Sequence, residues 1–201
     1  MTEVYAFDFD GTLTTQDTLL QFIRHAKGTA AFIGGFLLFS PLLILMKLHL
    51  YPNGKAKEKI FSFYFKGMEI SDFQACCDRF AEDRKDLIRP QGWNMLRKAV
   101  NAHAIVIVVS ASIDNWVRPF FNDFPEGSIR ILGTQIEVIN HRVTGRFLTS
   151  NCYGKEKVKR IQEILKGKRE DYDITAFGDS RGDQELLAYA NTGFYKPFRE
   201  K

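Results

Sequence analysis

Val4-Tyr5-Ala6-Phe7-Asp8-Phe9-Asp10-Gly11-Thr12 is the stretch on which the fold turns. Its apolar run ends abruptly in two carboxylates and a glycine, the pattern of a buried strand delivering acids into a loop. Two later segments repeat the design. Ile105 to Val109 is wholly β-branched and runs into Ser110-Ala111-Ser112. Ile174-Thr175-Ala176-Phe177 runs into Gly178-Asp179-Ser180-Arg181-Gly182-Asp183. Near-continuous apolar strands are covered on both faces, as in a parallel sheet. Helical patterns lie between them at Trp93–Val100, Asn115–Phe121, Glu156–Leu165 and Gln184–Tyr189, and Ile129–Val138 and Arg142–Leu148 read as strands around an Asn140-His141 turn. This alternation predicts an α/β fold with a Rossmann-like, mostly parallel sheet. Ligands of such sheets bind beyond the carboxyl ends of the strands, so the three polar clusters should meet in one crevice.

Residues 17–89 break the rhythm and read as helices: Leu19–Ala26, an apolar stretch Ala30–Met46, Lys55–Phe65, and Ser71–Leu87 with Ser71 as N-cap. The expected organisation is therefore an α/β core from residues 1–16 and 90–201, with 17–89 inserted as a helical cap.

The 201 residues suffice for a real core without covalent staples. A net charge of +4 favours an anionic ligand but is far from a nucleic-acid-binding signature. Three cysteines, Cys76, Cys77 and Cys152, form no CxxC pair, and no basic-then-apolar leader opens the chain, so a cytoplasmic protein is expected. His25, His49, His103 and His141 are scattered and no G-x-S-x-G occurs, which disfavours a serine triad. The absence of P-loop and dinucleotide fingerprints argues against nucleotide-driven and redox chemistry.

Asp8 and Asp10 are too close to ionise comfortably together unless a cation sits between them or one stays protonated. Phosphate-ester hydrolysis can use both conditions, with one carboxylate as nucleophile and the other as proton donor. Gly11 allows the sharp turn. Taken alone, Asp-x-Asp-Gly also occurs in calcium loops and plain turns. Asp179 and Asp183 would supply further oxygens to a hard cation, or else simply complement a helix N-terminus. Ser110, with the N–H groups beside it, is a phosphate-binding candidate or an ordinary cap. Lys157 could offset charge on a five-coordinate phosphorus, and Lys155 is its rival.

Together these motifs resemble the haloacid dehalogenase superfamily of phosphatases, in its phosphoserine-phosphatase-like branch. Asp8 to Thr14 looks like the first motif, Ser110 the second, Lys157 the third and Gly178 to Asp183 the fourth. The resemblance implies Asp8 as nucleophile and Asp10 as general acid/base. It implies Mg²⁺ held by Asp8, the backbone carbonyl of Asp10, and Asp179, with Asp183 ordering the metal's water shell. Ser110 and Lys157 would bind the phosphoryl group, beside Gly11, Thr12 and Ala111. The residues that set substrate choice in that branch would fall at Asp17 and near Phe61, where the sequence is aromatic rather than basic.

Ala30 to Met46 holds 17 residues and no charge, close to the roughly 20 of a membrane span. One crossing would strand Asp8 on the side opposite Ser110, Lys157 and Asp179, so the stretch is expected to fold back near Pro41 as a hairpin. Such a hairpin either forms the cap's own core or enters a membrane interface, flanked by Arg24, Lys27, Lys47 and Lys55. The second arrangement is similar to that of the phosphatidylglycerophosphatase C family and would make the substrate a lipid phosphate rather than a small phosphorylated metabolite. Rival readings of the same residues are a phosphotransferase and a non-catalytic phosphate-binding protein. Nothing in the sequence specifies an oligomeric state.

Overall fold

The computed structural model describes residues 1–48 and 50–199. His49 and the polar end Glu200-Lys201 lie outside the described residues. A five-stranded parallel sheet forms the centre, with strand order β3-β2-β1-β6-β7. Its strands are β1 (Thr2–Phe7), β2 (Ile105–Ile113), β3 (Ile129–Thr134), β6 (Tyr172–Gly178) and β7 (Thr192–Tyr195). β1 lies between β2 and β6, with Phe7 opposite Val108 on one side and Phe177 on the other. That places the ends of all three motif-bearing strands side by side.

The sheet is buried on both faces, as its unbroken apolar strands require. Val4, Ala6, Ile107, Val109, Ile174 and Ala176 pack with Ile161 of helix α6 (Lys155–Ile164), with Leu165 just past its end, and with Leu186 of α7 (Gln184–Tyr189). Phe7, Val106, Val108 and Phe177 point the opposite way, into a larger core with Leu96 and Ala99 of α4 (Pro90–Asn101). That larger core continues into the helices between β1 and β2. There Phe22 of α1 (Thr18–Lys47) contacts the rings of Phe65, Phe73, Phe80 and Trp116. Phe65 ends α2 (Asn53–Phe65), Phe73 and Phe80 belong to α3 (Ile70–Asp83), and Trp116 lies in the short α5 (Asp114–Val117).

Several expectations are corrected. The apolar stretch does not turn near Pro41. α1 runs straight through it and is broken instead at Gly28, whose φ of +81° suits a residue without a side chain. Pro41 lacks the N–H that would bond the Leu37 carbonyl, but the Ser40 hydroxyl donates to that oxygen at 2.8 Å, so the helix survives. The chain doubles back only after Lys47, into α2. The two helices approach closely at Gly35, where a side chain would overlap the Tyr64 hydroxyl, and that hydroxyl donates to the Ala31 carbonyl at 3.2 Å.

α3 is capped at Glu69, not Ser71. The Ile70 N–H is taken by the His141 carbonyl at 2.8 Å, which starts the helix early. The segment Ile129–Val138 divides at Gln135. β3 completes the parallel sheet, whereas β4 (Ile136–Ile139) turns antiparallel to β5 (Arg142–Phe147) through Asn140 and His141, both at positive φ. This hairpin bonds to the helical layer through the Gly67 N–H and the Val143 carbonyl, and through the Phe147 N–H and Glu58.

Candidate active site

Asp8 follows directly on β1, and the next residues form a wide turn, Phe9–Leu13, closed by the Thr14 N–H on the Phe9 carbonyl at 3.0 Å. Gly11 is the pivot. Its φ is +78°, and a Cβ there would run into the Asp179 carboxylate, so the first and fourth motifs touch across a residue that must have no side chain.

Asp8 is 5% exposed, Lys157 2% and Asp183 0%. Lys157 donates to Asp8 Oδ1 at 2.5 Å and to Asp183 Oδ1 at 2.6 Å. Thr12 Oγ1 donates to the other Asp8 oxygen at 2.9 Å. Asp183 Oδ2 accepts the Ser180 hydroxyl at 2.7 Å and the N–H groups of Ser180 and Asp179 at 3.0 and 3.2 Å. One ammonium therefore serves two buried carboxylates, which separates their acidities. Burial alone would raise Asp183, but Lys157 and the Ser180 donors hold it below the usual carboxylate range. Burial pushes Asp8 up to about 7 against the pull of Lys157, and Asp183 and Asp10 add to that rise. Burial by itself would lower Lys157, yet its two partners keep the ammonium above its ordinary range.

Asp10 is held separately. Its Oδ1 accepts the Thr18 N–H at 2.7 Å and hydroxyl at 2.5 Å, and its Oδ2 accepts the hydroxyls of Ser112 at 2.5 Å and Ser110 at 3.3 Å. Trp116 Nε1 in turn donates to Thr18 Oγ1 at 3.2 Å. Asp17 is the N-cap of α1, accepting the Leu19 N–H at 2.9 Å.

Asp8, Asp179 and Asp183 each place one carboxylate oxygen within 4.8 Å of the others. Three hard oxygen donors, two of them (Asp8 and Asp179) made weaker acids by burial, suit a small divalent cation such as Mg²⁺. Asp179 is also raised by burial and by Asp183, although Arg199 opposes the shift from 2.7 Å away.

A cavity of about 480 Å³ opens above these groups. Asp8, Asp10, Gly11, Asp17, Ala111, Lys157 and Asp179 line its floor. Lys155 stays exposed on α6 while Lys157 turns inward. The hydroxyls of Thr12 and Ser110 are engaged with Asp8 and Asp10 instead of facing the cavity. Phe61 is wholly buried against Phe65, Phe73 and Phe147, and its neighbours Lys57 and Ile60 face the cavity in its stead. Sequence reasoning missed Ser112, which shares a strand face with Ser110, and also Thr18, Lys57 and Arg199. None of His25, His103 and His141 lines the cavity.

A family model for haloacid dehalogenase-like hydrolases matches residues 5–188. The chain belongs to the haloacid dehalogenase-like hydrolases. Protein CicA of Caulobacter vibrioides is 33% identical over 199 residues, spanning 98% of this hydrolase and 86% of the relative. A Bordetella pertussis Tohama I protein of unknown function superposes with a TM-score of 0.83 at 19% identity, over 96% of this chain and 89% of that one. A substrate-bound phosphoserine phosphatase superposes at 0.65 with 18% identity, over 97% and 86% of the two chains. At such identities the structural likenesses speak for the shared fold.

Proposed function

We propose that this hydrolase is a Mg²⁺-dependent phosphatase that cleaves a phosphate monoester through a phospho-aspartyl intermediate on Asp8, and that its substrate is a lipid phosphate. The observation that carries the reading is the two-sided cavity. Its floor holds Asp8, Asp10, Lys157 and Asp179, and its wall carries an apolar patch of Leu19, Leu20, Phe36, Leu43, Met46 and Ile60 beside the polar Gln16, Asn53 and Lys57. The first side suits a phosphate, the second an acyl chain.

An Asp8 oxygen attacks phosphorus, and the bond from phosphorus to the alcohol oxygen breaks. Asp10 gives the departing oxygen its proton. Water then attacks the acyl phosphate, Asp10 takes a proton from it, and inorganic phosphate leaves with Asp8 restored. Thr18 and Ser112 fix the Asp10 carboxylate, while Lys157 neutralises charge beside Asp8. Mg²⁺, held by Asp8, Asp179 and the Asp10 carbonyl with Asp183 beside it, would supply charge neutralisation on the phosphoryl oxygens. Residues 17–89 act as the cap over the crevice.

The outer surface of the cap supports the lipid reading. Between Thr29 and Lys47 only Gly35 is buried, and Ile33, Leu37, Leu38, Ile44 and Leu45 are exposed. α1 is, among the described residues, the one helix long and apolar enough to cross a membrane. Since Asp8 and Ser110 must share one side, we infer that it lies along a membrane face, within reach of Lys47 and Lys55.

The test compares wild type with Asp8→Asn on p-nitrophenyl phosphate, glycerol phosphate and lysophosphatidic acid. Mg²⁺-dependent phosphate release should disappear in the variant, and lysophosphatidic acid should lead glycerol phosphate in kcat/KM by at least about tenfold. Retained turnover in Asp8→Asn would overturn the mechanism. A preference for glycerol phosphate would overturn the lipid assignment alone. Transfer of the phosphoryl group to an added alcohol, without phosphate release, would mark a phosphotransferase.

A further inference from the structure

A second recess of about 350 Å³ adjoins the catalytic cavity, lined by Thr15, Arg89, Pro90, Gln91, Phe198 and Arg199. Thr15 and Arg199 line both spaces. Two guanidinium groups and no carboxylate line the recess, whereas the floor of the neighbouring cavity is acidic.

Arg199 is delivered there by an anchored segment that follows β7. After β7, Lys196 takes a φ of +55° and its N–H donates to the Gly178 carbonyl at 2.7 Å, next to Asp179. The buried Phe198 ring then stacks on Phe177 at 5.2 Å, and a Cβ on Gly92 would come within 2.9 Å of it. Terminal residues are poorly fixed unless tied down in this way. The Arg199 side chain is 43% exposed and spends one amino group on Asp179. Arg89 is half-buried, and its Nε donates to the Thr14 carbonyl at 3.1 Å. Its terminal amino groups make no hydrogen bond among the described residues.

We propose that this recess binds a second oxyanion of the substrate, a phosphate or a carboxylate carried by the leaving group. The inference rests on the phosphatase reading and adds a specificity site to it. A planar guanidinium presents paired N–H donors that match either oxyanion, and two of them facing one recess select for substrates that carry it. A substrate lacking that group would leave the donors to solvent.

The experiment uses butyl phosphate and its counterparts bearing a terminal carboxylate or a terminal second phosphate, with wild type, Arg89→Gln and Arg199→Gln. Wild type should favour at least one two-anion substrate, and the favoured one names the oxyanion. Each variant should lower that preference at least about tenfold, chiefly through KM. Wild type without a preference, or variants that keep it, would overturn the proposal. So would a fall confined to Arg199→Gln, since Arg199 would then act only through Asp179. Should Arg89→Gln fail to fold, Arg89→Lys keeps the charge without the fork and should lower the ratio in part. Calorimetric binding of the same ligands to Asp8→Asn reads the recess without turnover. Loss of the phosphatase reading and loss of the subsite are thereby told apart.

Discussion

The floor of the active site and the outer part of α1 treat water in opposite ways. On the floor, Asp8, Lys157 and Asp183 are buried, and each carboxylate oxygen of Asp8 and Asp183 has a donor. On the helix, Leu37 is 66% and Leu38 62% exposed, without a covering layer. Either arrangement costs free energy that an ordinary core and surface would avoid. On the proposed mechanism, the floor keeps its charges because chemistry at phosphorus needs them in place. On the proposed membrane-face reading, the helix keeps its leucines exposed because a lipid surface covers them. On the two proposals together, departures from the usual inside-out distribution mark the working parts of the molecule.

The contrast breaks most severely at Lys157. Lys157→Met removes the shared ammonium and leaves two buried carboxylates facing each other. Stability should fall by about 3–5 kcal/mol in chemical denaturation, and phosphate release should vanish with it. A variant as stable as wild type would mean that the floor is wet.

A milder probe is pH. Burial raises Asp8 from its usual 3.8 to about 7, so the folded chain holds that proton more tightly than the unfolded chain does. Its contribution is fully present below about 3.8 and is lost as pH rises toward 7, by at most about 1.4 kcal/mol per pH unit. Lys157 and Asp183 keep their charges across that window. In EDTA, wild type should therefore lose stability relative to Asp8→Asn between pH 5 and 7, and parallel curves would show Asp8 ionised throughout.

The smallest stability effect belongs to the helix. Leu37→Ser with Leu38→Ser should leave the unfolding free energy within about 0.5 kcal/mol of wild type in chemical denaturation. The same pair should abolish flotation with vesicles of phosphatidylcholine and phosphatidylglycerol. Unimpaired flotation would move the contact elsewhere.

The sheet was legible in sequence because its strands are buried on both faces and end in acids or serines, signals that survive without knowledge of partners. Gln184–Tyr189 and the Asn140-His141 turn were readable for the same local reasons. β7 was not, since Thr192-Gly193-Phe194-Tyr195 is an exposed edge strand with no apolar rhythm. The break in α1 was misplaced because proline is the stronger textual signal, whereas Ser40 rescues the helix at Pro41 and Gly28 gives way. Phe61 and Lys57 lie one turn apart on the same face of α2, so helical period alone does not tell which meets the cavity and which the Phe65, Phe73 and Phe147 rings. Arg199 had no local signal at all, because its position follows from Phe198 finding a slot made by β1, β6 and α4.

Gly11 sets the spacing of the whole centre. Two strand tips encoded at opposite ends of the chain are kept apart there by the width of a hydrogen atom. A methyl group at that point would act as a wedge, swinging the Asp179 oxygens away from those of Asp8 while itself strained by the left-handed backbone.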